Sequence, residues 1–274
     1  MQLSRRHPRY RSLVVRTHLA EAHRAGVVVP EGLIAHGRGE AFDYLLGERS
    51  SPSARVAERA AARWLLSAKR PVLSVNGNVA ALASSQVAEL TRAVPHLSVE
   101  VNLFHRTAGR ARKVASLLRR AGARRVLGVR PTARIPGLPS DRALVDRQGI
   151  YRADVCLVPL EDGDRAEALR ARGLRVISID LNPLSRTTRV ADLPIVDELT
   201  RALSEIAREA RRLRARGHPP SPVVLDAGRL RSDALRRIGR NLRRAAARRP
   251  RRPRTAQASR RRTRGTSGRS RRTP

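Results

Sequence analysis

Short apolar runs alternate with longer amphipathic segments between residues 71 and 200. The short runs predict β-strands, and the segments between them have the spacing of apolar positions that is typical of helices. Strands that alternate with helices indicate an α/β protein with a Rossmann-like, mostly parallel sheet and helices on both faces. The predicted strands cover residues 71–75, 96–102, 124–129, 155–158, 175–179 and 190–196, and Pro194 places the last one at an edge.

Helical patterns flank this core on both sides. Before it, residues 8–25, 40–46 and 52–68 predict three helices, and the glycine-containing stretch from Ala35 up to the second helix predicts a loop. A proline-containing loop follows the third strand, at residues 131–139. After the core, two more helices are predicted, over residues 198–216 and 225–247.

The chain is therefore predicted to have four parts. An N-terminal helical segment (1–70) packs on the Rossmann-like core (71–200), and a C-terminal helical extension (201–247) follows. The last part, residues 248–274, has 12 Arg, no acidic residue and almost no apolar residue. Such a segment cannot bury enough surface to become ordered, so we expect a disordered Arg-rich tail.

The positive charge of the chain is compatible with nucleic-acid binding. The formal net charge is +35, and 56 of the 58 basic residues are Arg, a bias that a GC-rich genome produces by replacing Lys with Arg. Residues 211–274 nevertheless hold 23 Arg against two acidic residues. This basic C-terminal segment, which includes the tail, could contact nucleic acid without base specificity. A nucleic-acid-binding protein is therefore the alternative interpretation. Two Phe, three Tyr and one Trp offer few rings for stacking on bases.

Several other classes of protein lack support in the sequence. No run of 18 apolar residues is present, so no membrane span is predicted, and the N-terminus lacks an apolar signal segment, so we expect a cytoplasmic protein. Cys156 is the single cysteine and lies within a predicted strand, where it is expected to be a small core residue. There is no CxxC, HExxH or GxSxG motif.

Polar residues cluster where the predicted strands end, which is where open α/β sheets bind ligands. The first strand is followed by Asn76, Gly77 and Asn78, at the start of a helix. Gly77 allows a tight turn, Asn78 can cap the helix, and the free amides of the first turn favour an anion. The same residues also fit an ordinary capped turn.

Three carboxylates follow the fourth strand within four positions: Glu161, Asp162 and Asp164. Such a cluster repels itself unless a cation or several donors neutralise it. Mg²⁺ held together with nucleotide phosphates is one interpretation, and a turn followed by a helix N-cap is the other.

The fifth strand ends in Asp180, an acid at the position that accepts ribose hydroxyls in Rossmann-like sheets. Asn182 after it could contact a base or ribose, and Ser185, Arg186 and Thr187 could donate to phosphate; the alternative is a polar loop.

Further candidates are cationic. Arg38 lies between two glycines, which leaves its guanidinium exposed for a phosphate or carboxylate, and His36 precedes it. Arg106 follows the second strand, and Arg134 lies in the proline-containing loop. Each of these side chains, like Arg16 on the first helix, could also be an ordinary surface or structural residue.

Taken together, seven segments occur in an order that resembles the archaeal 4-phosphopantoate–β-alanine ligase family, also called phosphopantothenate synthetase. The resemblance covers about residues 7–245, and the tail lies outside it. The segments are HPRYRSL, GLIAHGRGEAFDYLLGE, VLSVNGNVAAL, VNLFHRT, ARIPGL, VPLEDGDRAEAL and IDLNPLSRT.

The resemblance implies an ATP-dependent ligase that joins 4-phosphopantoate to β-alanine through an acyl-adenylate and releases AMP and pyrophosphate. The product, 4′-phosphopantothenate, feeds coenzyme A synthesis, and the members are Rossmann-like homodimers. The family's ATP contacts map onto Arg16, Arg38, Asp180, Leu181, Asn182, Arg186, Thr187, Glu198 and Leu199.

One position departs from the family pattern. Members commonly have Val-Asp-Asn where this chain has Val196, Asp197 and Glu198. A carboxylate offers only acceptors and adds a negative charge, so the contact implied for Glu198 is in question.

The remaining roles follow from this chemistry. Mg²⁺ on the carboxylate cluster would hold the phosphates of ATP. Arg38 would offset the negative charge of the reacting groups, and His36 and Asp162 are the candidate bases for the β-alanine amine. The candidates for binding the acid substrate are Asn76, Gly77, Asn78, Arg106, Arg134 and Arg165.

Overall fold

A computed structural model describes residues 4–7, 9–217 and 220–247. The predicted disorder of the tail, and its contact with nucleic acid, concern residues outside this described part. The strands are β1 (Pro71–Val75), β2 (Ser98–Val101), β3 (Val126–Leu127), β4 (Ala133–Arg134), β5 (Leu144–Val145), β6 (Val155–Pro159), β7 (Arg175–Ile179) and β8 (Leu193–Ile195).

Helices connect the strands and extend the chain at both ends. They are α1 (Tyr10–Arg24), α2 (Pro30–Leu46), α3 (Pro52–Ser67), α4 (Gly77–Ala93), α5 (Ala108–Arg120), α6 (Gly163–Ala171), α7 (Arg186–Val190), α8 (Leu199–Arg214) and α9 (Ala227–Ala247).

Six of the strands form one parallel sheet in the order β3-β2-β1-β6-β7-β8. This is the Rossmann strand order, so the predicted fold class is confirmed. β8 is an edge strand, as its Pro194 requires. The strand order reverses between β1 and β6, and a crevice is expected outside the carboxyl ends of these two strands.

Side chains alternate between two buried faces along each strand. In β6, Val155 and Leu157 belong to a core with α3, α4, α5 and α8, whereas Cys156 and Val158 pack with α6 and residues around β5. Both faces are covered, which explains why the central strands β1, β6 and β7 are mostly apolar on both faces. Cys156 is fully buried, as predicted, and burial raises the pKa of its thiol to about 12.

The N-terminal helices differ from their prediction at one place that matters for function. α2 begins at Pro30 and runs to Leu46 without interruption, so the predicted loop from Ala35 is helical and carries His36 and Arg38. Val29 is extended and Pro30 occupies the first turn, an arrangement that starts a helix despite the glycines further on.

Three short elements escaped prediction. β4, in the proline-containing loop, forms a small antiparallel pair with β5 further along the chain, and α7 is a single turn that Ser185 caps by accepting from the Thr188 amide. α1 packs on α4, and α9 packs on α2 and β8. Among the described residues, no helix is both long and apolar enough to cross a membrane.

Candidate active site

A cleft of about 600 Å³ lies outside the carboxyl ends of β1 and β6, at the reversal of strand order. α2 forms one wall, and the turns after β1, β2, β6 and β8 form the floor. Of the residues predicted for the site, those that line this cleft are His36, Arg38, Asn76, Gly77, Asn78, Asp162, Leu181, Glu198 and Leu199.

The turn after β1 is tightly packed against α2. The Asn76 side chain caps α4 by accepting from the Val79 amide at 3.0 Å, so Asn76 rather than Asn78 is the cap. Asn78 instead donates to the Gly32 carbonyl at 2.7 Å, which ties α4 to α2. Gly77 has no room for a side chain, because a Cβ there would lie 2.3 Å from the Val27 carbonyl oxygen.

A buried ion cluster supports the turn after β6. Glu161 accepts from Arg142 and from Arg165, and Arg165 also donates to Ser74 at 2.9 Å. Arg142 in addition donates to Asp162 at 3.1 Å. Arg165 is fully buried, so this predicted substrate residue lies beneath the cleft and positions Glu161.

The three carboxylates predicted to hold Mg²⁺ do not converge. Guanidinium groups already neutralise Glu161 and Asp162. Asp164 is exposed, and its Oδ1 lies 3.6 Å from Nη1 of Arg186. No group of three metal-ligating side chains occurs in the described part of the chain. This arrangement gives no support to the predicted magnesium site on Glu161, Asp162 and Asp164, because Arg supplies the cation that the cluster needs. Burial, opposed by Arg142, raises the pKa of Asp162.

Two candidate catalytic side chains of α2, Arg38 and His36, line the cleft. Arg38 is exposed and has no hydrogen-bond or ion-pair partner within residues 4–7, 9–217 and 220–247. His36 is half-buried, and its Nε2 has no partner in the same ranges. Burial lowers the pKa of His36, which keeps the imidazole neutral at neutral pH.

Glu40, one turn further along α2, holds α1 in place. Its carboxylate accepts from Ser12 at 2.5 Å and from Arg16 at 2.7 Å. Burial alone would raise the pKa of Glu40, but these hydrogen bonds and that of Tyr44 lower it overall. Arg16 is thus an exposed residue beside the cleft, with its charge matched by Glu40.

The loop after β7 uses most of its polar groups internally. The Asp180 carboxylate accepts from the Asn182 amide, and the Asn182 side chain accepts from the Leu184 amide, both at 2.9 Å. Burial raises the pKa of Asp180. Leu181 is the residue of this loop that reaches the cleft.

The two residues after Ser185 also lie outside the cleft. Arg186 pairs with Glu167, and its side chain crosses Gly163 so closely that a Cβ there would lie 2.4 Å from it. Thr187 is buried and donates to the Glu161 carbonyl at 2.6 Å, which joins the loops after β6 and β7.

The start of α8 closes the other end of the cleft. Glu198 caps this helix by accepting from the Thr200 and Arg201 amides at 2.9 and 3.1 Å. Glu198 therefore has a structural role as the N-cap of α8, beside its place in the cleft lining. Asp197 is buried and pairs with Arg201 at 2.7 Å.

Two predicted arginines serve the loops rather than the cleft. Arg106 donates to the Gly128 and Val129 carbonyls at 2.7 and 2.9 Å, and exposed Arg134 donates to the Leu138 carbonyl at 3.4 Å. The cleft instead contains Arg110 and Arg142, which the sequence patterns did not single out. Nothing in the sequence distinguishes these two from the other arginines.

This strand order, with a polar cleft at its reversal point, defines an α/β protein of the Rossmann-like class, and the cleft is its candidate ligand site. Comparison of the sequence with protein families gives a match over residues 53–238 to "Phosphopantothenate/pantothenate synthetase". The chain belongs to this family.

Curated relatives agree with this assignment. A protein of Methanospirillum hungatei is 55% identical over 202 residues, which cover 74% of this chain and 82% of the relative. Relatives from Methanosarcina mazei and Thermococcus kodakarensis are 49% and 46% identical, over 88% and 90% of this chain and 96% and 95% of their own lengths. All three are named 4-phosphopantoate–β-alanine ligase.

Proposed function

We propose that this chain is a 4-phosphopantoate–β-alanine ligase that forms 4′-phosphopantothenate for coenzyme A synthesis, with ATP cleaved to AMP and pyrophosphate. The family assignment and the names of the relatives support the reaction. The single structural observation that carries the proposal is the cleft of about 600 Å³ at the reversal of strand order, lined by both guanidinium and carboxylate groups.

The first step joins two anions, so cations must offset their repulsion. A carboxylate oxygen of 4-phosphopantoate attacks the α-phosphorus of ATP, the bond to the β-phosphate oxygen breaks, and pyrophosphate leaves. Arg38 is suited to this step, because its guanidinium lies in the cleft without a partner in the described chain. A preorganised cation of this kind stabilises charge that develops in the transition state.

The second step needs a neutral amine. The nitrogen of β-alanine attacks the acyl carbon of the adenylate, loses a proton, and AMP leaves as the amide forms. His36 is suited to accept this proton, because burial keeps its imidazole neutral and its Nε2 is free of described partners. Asp162 is the weaker candidate, since Arg142 engages its carboxylate.

The resemblance to the family assigns nine residues to ATP binding, and we propose these contacts residue by residue. Arg38, Leu181, Glu198 and Leu199 line the cleft and could contact nucleotide directly. The others border the cleft or support its loops: Arg16, Asp180, Asn182, Arg186 and Thr187. A homodimer and a cytoplasmic location also stay predictions from the sequence.

The experiment that tests the function is an assay of AMP and pyrophosphate with the purified protein. We expect sustained AMP release only when ATP, 4-phosphopantoate and β-alanine are all present, with a product mass equal to the amide. A panel of other acids and amines is the control for substrate choice. Release of ADP and phosphate instead of AMP and pyrophosphate would contradict the acyl-adenylate route, and activity with a different acid would reassign the substrate.

A further inference from the structure

Two guanidinium groups lie at the end of the cleft formed by the turns after β1 and β2. Arg142 is almost fully buried, and it donates through Nη1 and Nε to the Asn102 carbonyl, Glu161 and Asp162. Arg110 at the start of α5 is half-buried and lines the same cleft. In the described chain, the Nη2 atom of neither guanidinium has a hydrogen-bond partner, although both side chains are otherwise anchored.

Backbone carbonyls, rather than carboxylates, hold Arg110. Its Nε donates to the Val27 carbonyl at 3.1 Å and its Nη1 to the His105 carbonyl at 2.6 Å. Within the described residues it forms no ion pair; Glu31 acts on it only through space. The remaining nitrogen, Nη2, lies against the turn after β1, where a Cβ at Gly77 would be 2.8 Å away.

The charge of Arg110 is therefore uncompensated. Burial and the positive charge of Arg142 lower the pKa of Arg110, which means that the two guanidiniums repel each other. Arg142 shares its charge with Glu161 and Asp162, so Arg110 is the cation that keeps its full charge on this cleft wall. The free Nη2 atoms of both side chains are suited to bind a phosphate, since a guanidinium fork matches phosphate oxygens.

The carboxylates at the opposite end of the cleft are already engaged. Glu40 pairs with Arg16, Asp43 and Asp197 pair with Arg201, and Glu198 caps α8. Leu181, Glu198 and Leu199, which the resemblance assigns to ATP, line this end. The nucleoside half of ATP therefore fits here, and its phosphates extend toward the middle of the cleft.

We propose that Arg110, with Arg142 beside it, binds the phosphate group of the acid substrate and sets the selectivity for phosphorylated over unphosphorylated pantoate. This inference rests on the proposed ligase function. In 4-phosphopantoate, the reacting carboxylate and the phosphate are at opposite ends of the molecule. The carboxylate of 4-phosphopantoate must reach the α-phosphate of ATP in the middle of the cleft. Its own phosphate group then lies at the end of the cleft that holds Arg110 and Arg142, away from the nucleoside.

The test compares the wild-type protein with Arg110→Ala and Arg110→Lys on two acids, 4-phosphopantoate and pantoate. For Arg110→Ala we expect the KM for 4-phosphopantoate to rise roughly 10- to 100-fold, the loss typical of a hydrogen bond to a charged group. The KM for ATP and the kcat/KM for pantoate should each change less than about threefold. Lys should restore part of the affinity, because it keeps the charge but not the fork.

Exposed Arg112 on the same helix provides the matched control, and Arg112→Ala should behave as wild type. The decisive readout is the ratio of kcat/KM for 4-phosphopantoate to kcat/KM for pantoate, because a merely structural role of Arg110 would lower both values together. An equal loss on both acids, or a rise in the KM for ATP in place of that for 4-phosphopantoate, would overturn the proposal.

Calorimetry tests the phosphate site independently of the ligase reaction, because it measures the binding of 4-phosphopantoate without turnover. We expect 4-phosphopantoate to bind the wild-type protein in the absence of ATP, and to bind Arg110→Ala at least about tenfold more weakly. This result would support the phosphate site even if no AMP were released. Equal binding of 4-phosphopantoate by both proteins would refute the site while leaving the ligase activity intact.

Discussion

His36 shows how one side chain acquires its chemistry from its surroundings. Burial lowers its pKa below the usual 6.5, and the positive charge of Arg16 acts in the same direction, while Glu40 and Glu198 oppose them. A neutral imidazole at pH 7 can accept a proton from the β-alanine amine. The sequence supplied the residue type, but its position on α2 above the cleft supplied the pKa.

The first prediction concerns the pH profile of turnover. As the pH falls, kcat should decline with a midpoint below 6.5, because protonation of His36 removes the proton acceptor. His36→Gln should lower kcat about 10²- to 10⁴-fold and abolish this acid limb. The measurement is the initial rate from pH 5 to 8, with His96→Gln as the control. An unchanged limb in His36→Gln would assign the proton acceptor elsewhere.

Arg38 is the second prediction at this scale. Its side chain is exposed in the cleft and supports no other described residue, so Arg38→Ala should leave folding unchanged. Turnover should nevertheless fall about 10²-fold or more, because a cation facing the reacting anions is lost. Rates and circular dichroism check the two halves of the prediction, with exposed Arg24→Ala as the control. Wild-type activity of Arg38→Ala would remove Arg38 from the mechanism.

At the scale of elements, α2 decides the shape of the site. Its glycines indicated a loop when considered locally, since glycine weakens helices. In the fold, Gly32 faces the turn after β1, and a Cβ there would lie 2.3 Å from Oδ1 of Asn78. Gly37 on the same helix has no other atom within 4 Å of such a Cβ.

The third prediction uses these two glycines as a matched pair. Gly37→Ala should increase the free energy of unfolding by about 0.5–1 kcal/mol, because Ala favours the helix and meets nothing. Gly32→Ala should decrease it by about 1–3 kcal/mol, because Asn78 or the helix must move. Urea unfolding followed by circular dichroism measures both values. A stabilised Gly32→Ala would show that α2 and α4 are not packed as described.

At the scale of the whole molecule, a pair of buried acids links α3 to the floor of the cleft. Glu58 of α3 is fully buried, and neither of its carboxyl oxygens has a partner in the described residues, nor has Oδ2 of Asp197. Burial, and then the charge of Asp197, raise the pKa of Glu58 to about 9 from its usual 4.5. Glu58 is therefore protonated in the folded protein at neutral pH.

The fourth prediction is the resulting pH dependence of stability. Between pH 4.5 and about 9 the folded state binds a proton at Glu58 that the unfolded state has lost, so the free energy of unfolding should fall as the pH rises. Glu58→Gln should flatten this slope, because its amide stays neutral and can donate to Asp197. Thermal or urea unfolding from pH 5 to 9 is the measurement, with exposed Glu21→Gln as the control. A slope unchanged in Glu58→Gln would show that other groups cause it.

The sequence by itself determined the layered core. All six parallel strands were predicted, because short, mostly apolar runs between helical segments are visible within a few residues, even for β3 and β8, which are only two and three residues long. The turns after β1, β6 and β7 were recognised as site elements for a similar local reason, since polar residues directly follow buried strands. Glu198 and Leu199, after β8, came only from the resemblance to the family. The ordered series of motifs also indicated the family.

Only the tertiary structure decided which charged groups meet. Arg165 became a buried support, Glu161 and Asp162 were neutralised by arginine rather than by Mg²⁺, and Arg110 and Arg142 took places in the cleft. The physical reason is that hydrophobic periodicity is a property of neighbours in the chain, whereas the partners of an ion pair such as Arg142 and Glu161 lie on separate elements that only the fold brings together. In a chain with 56 arginines, the fold alone selects those that keep a free charge.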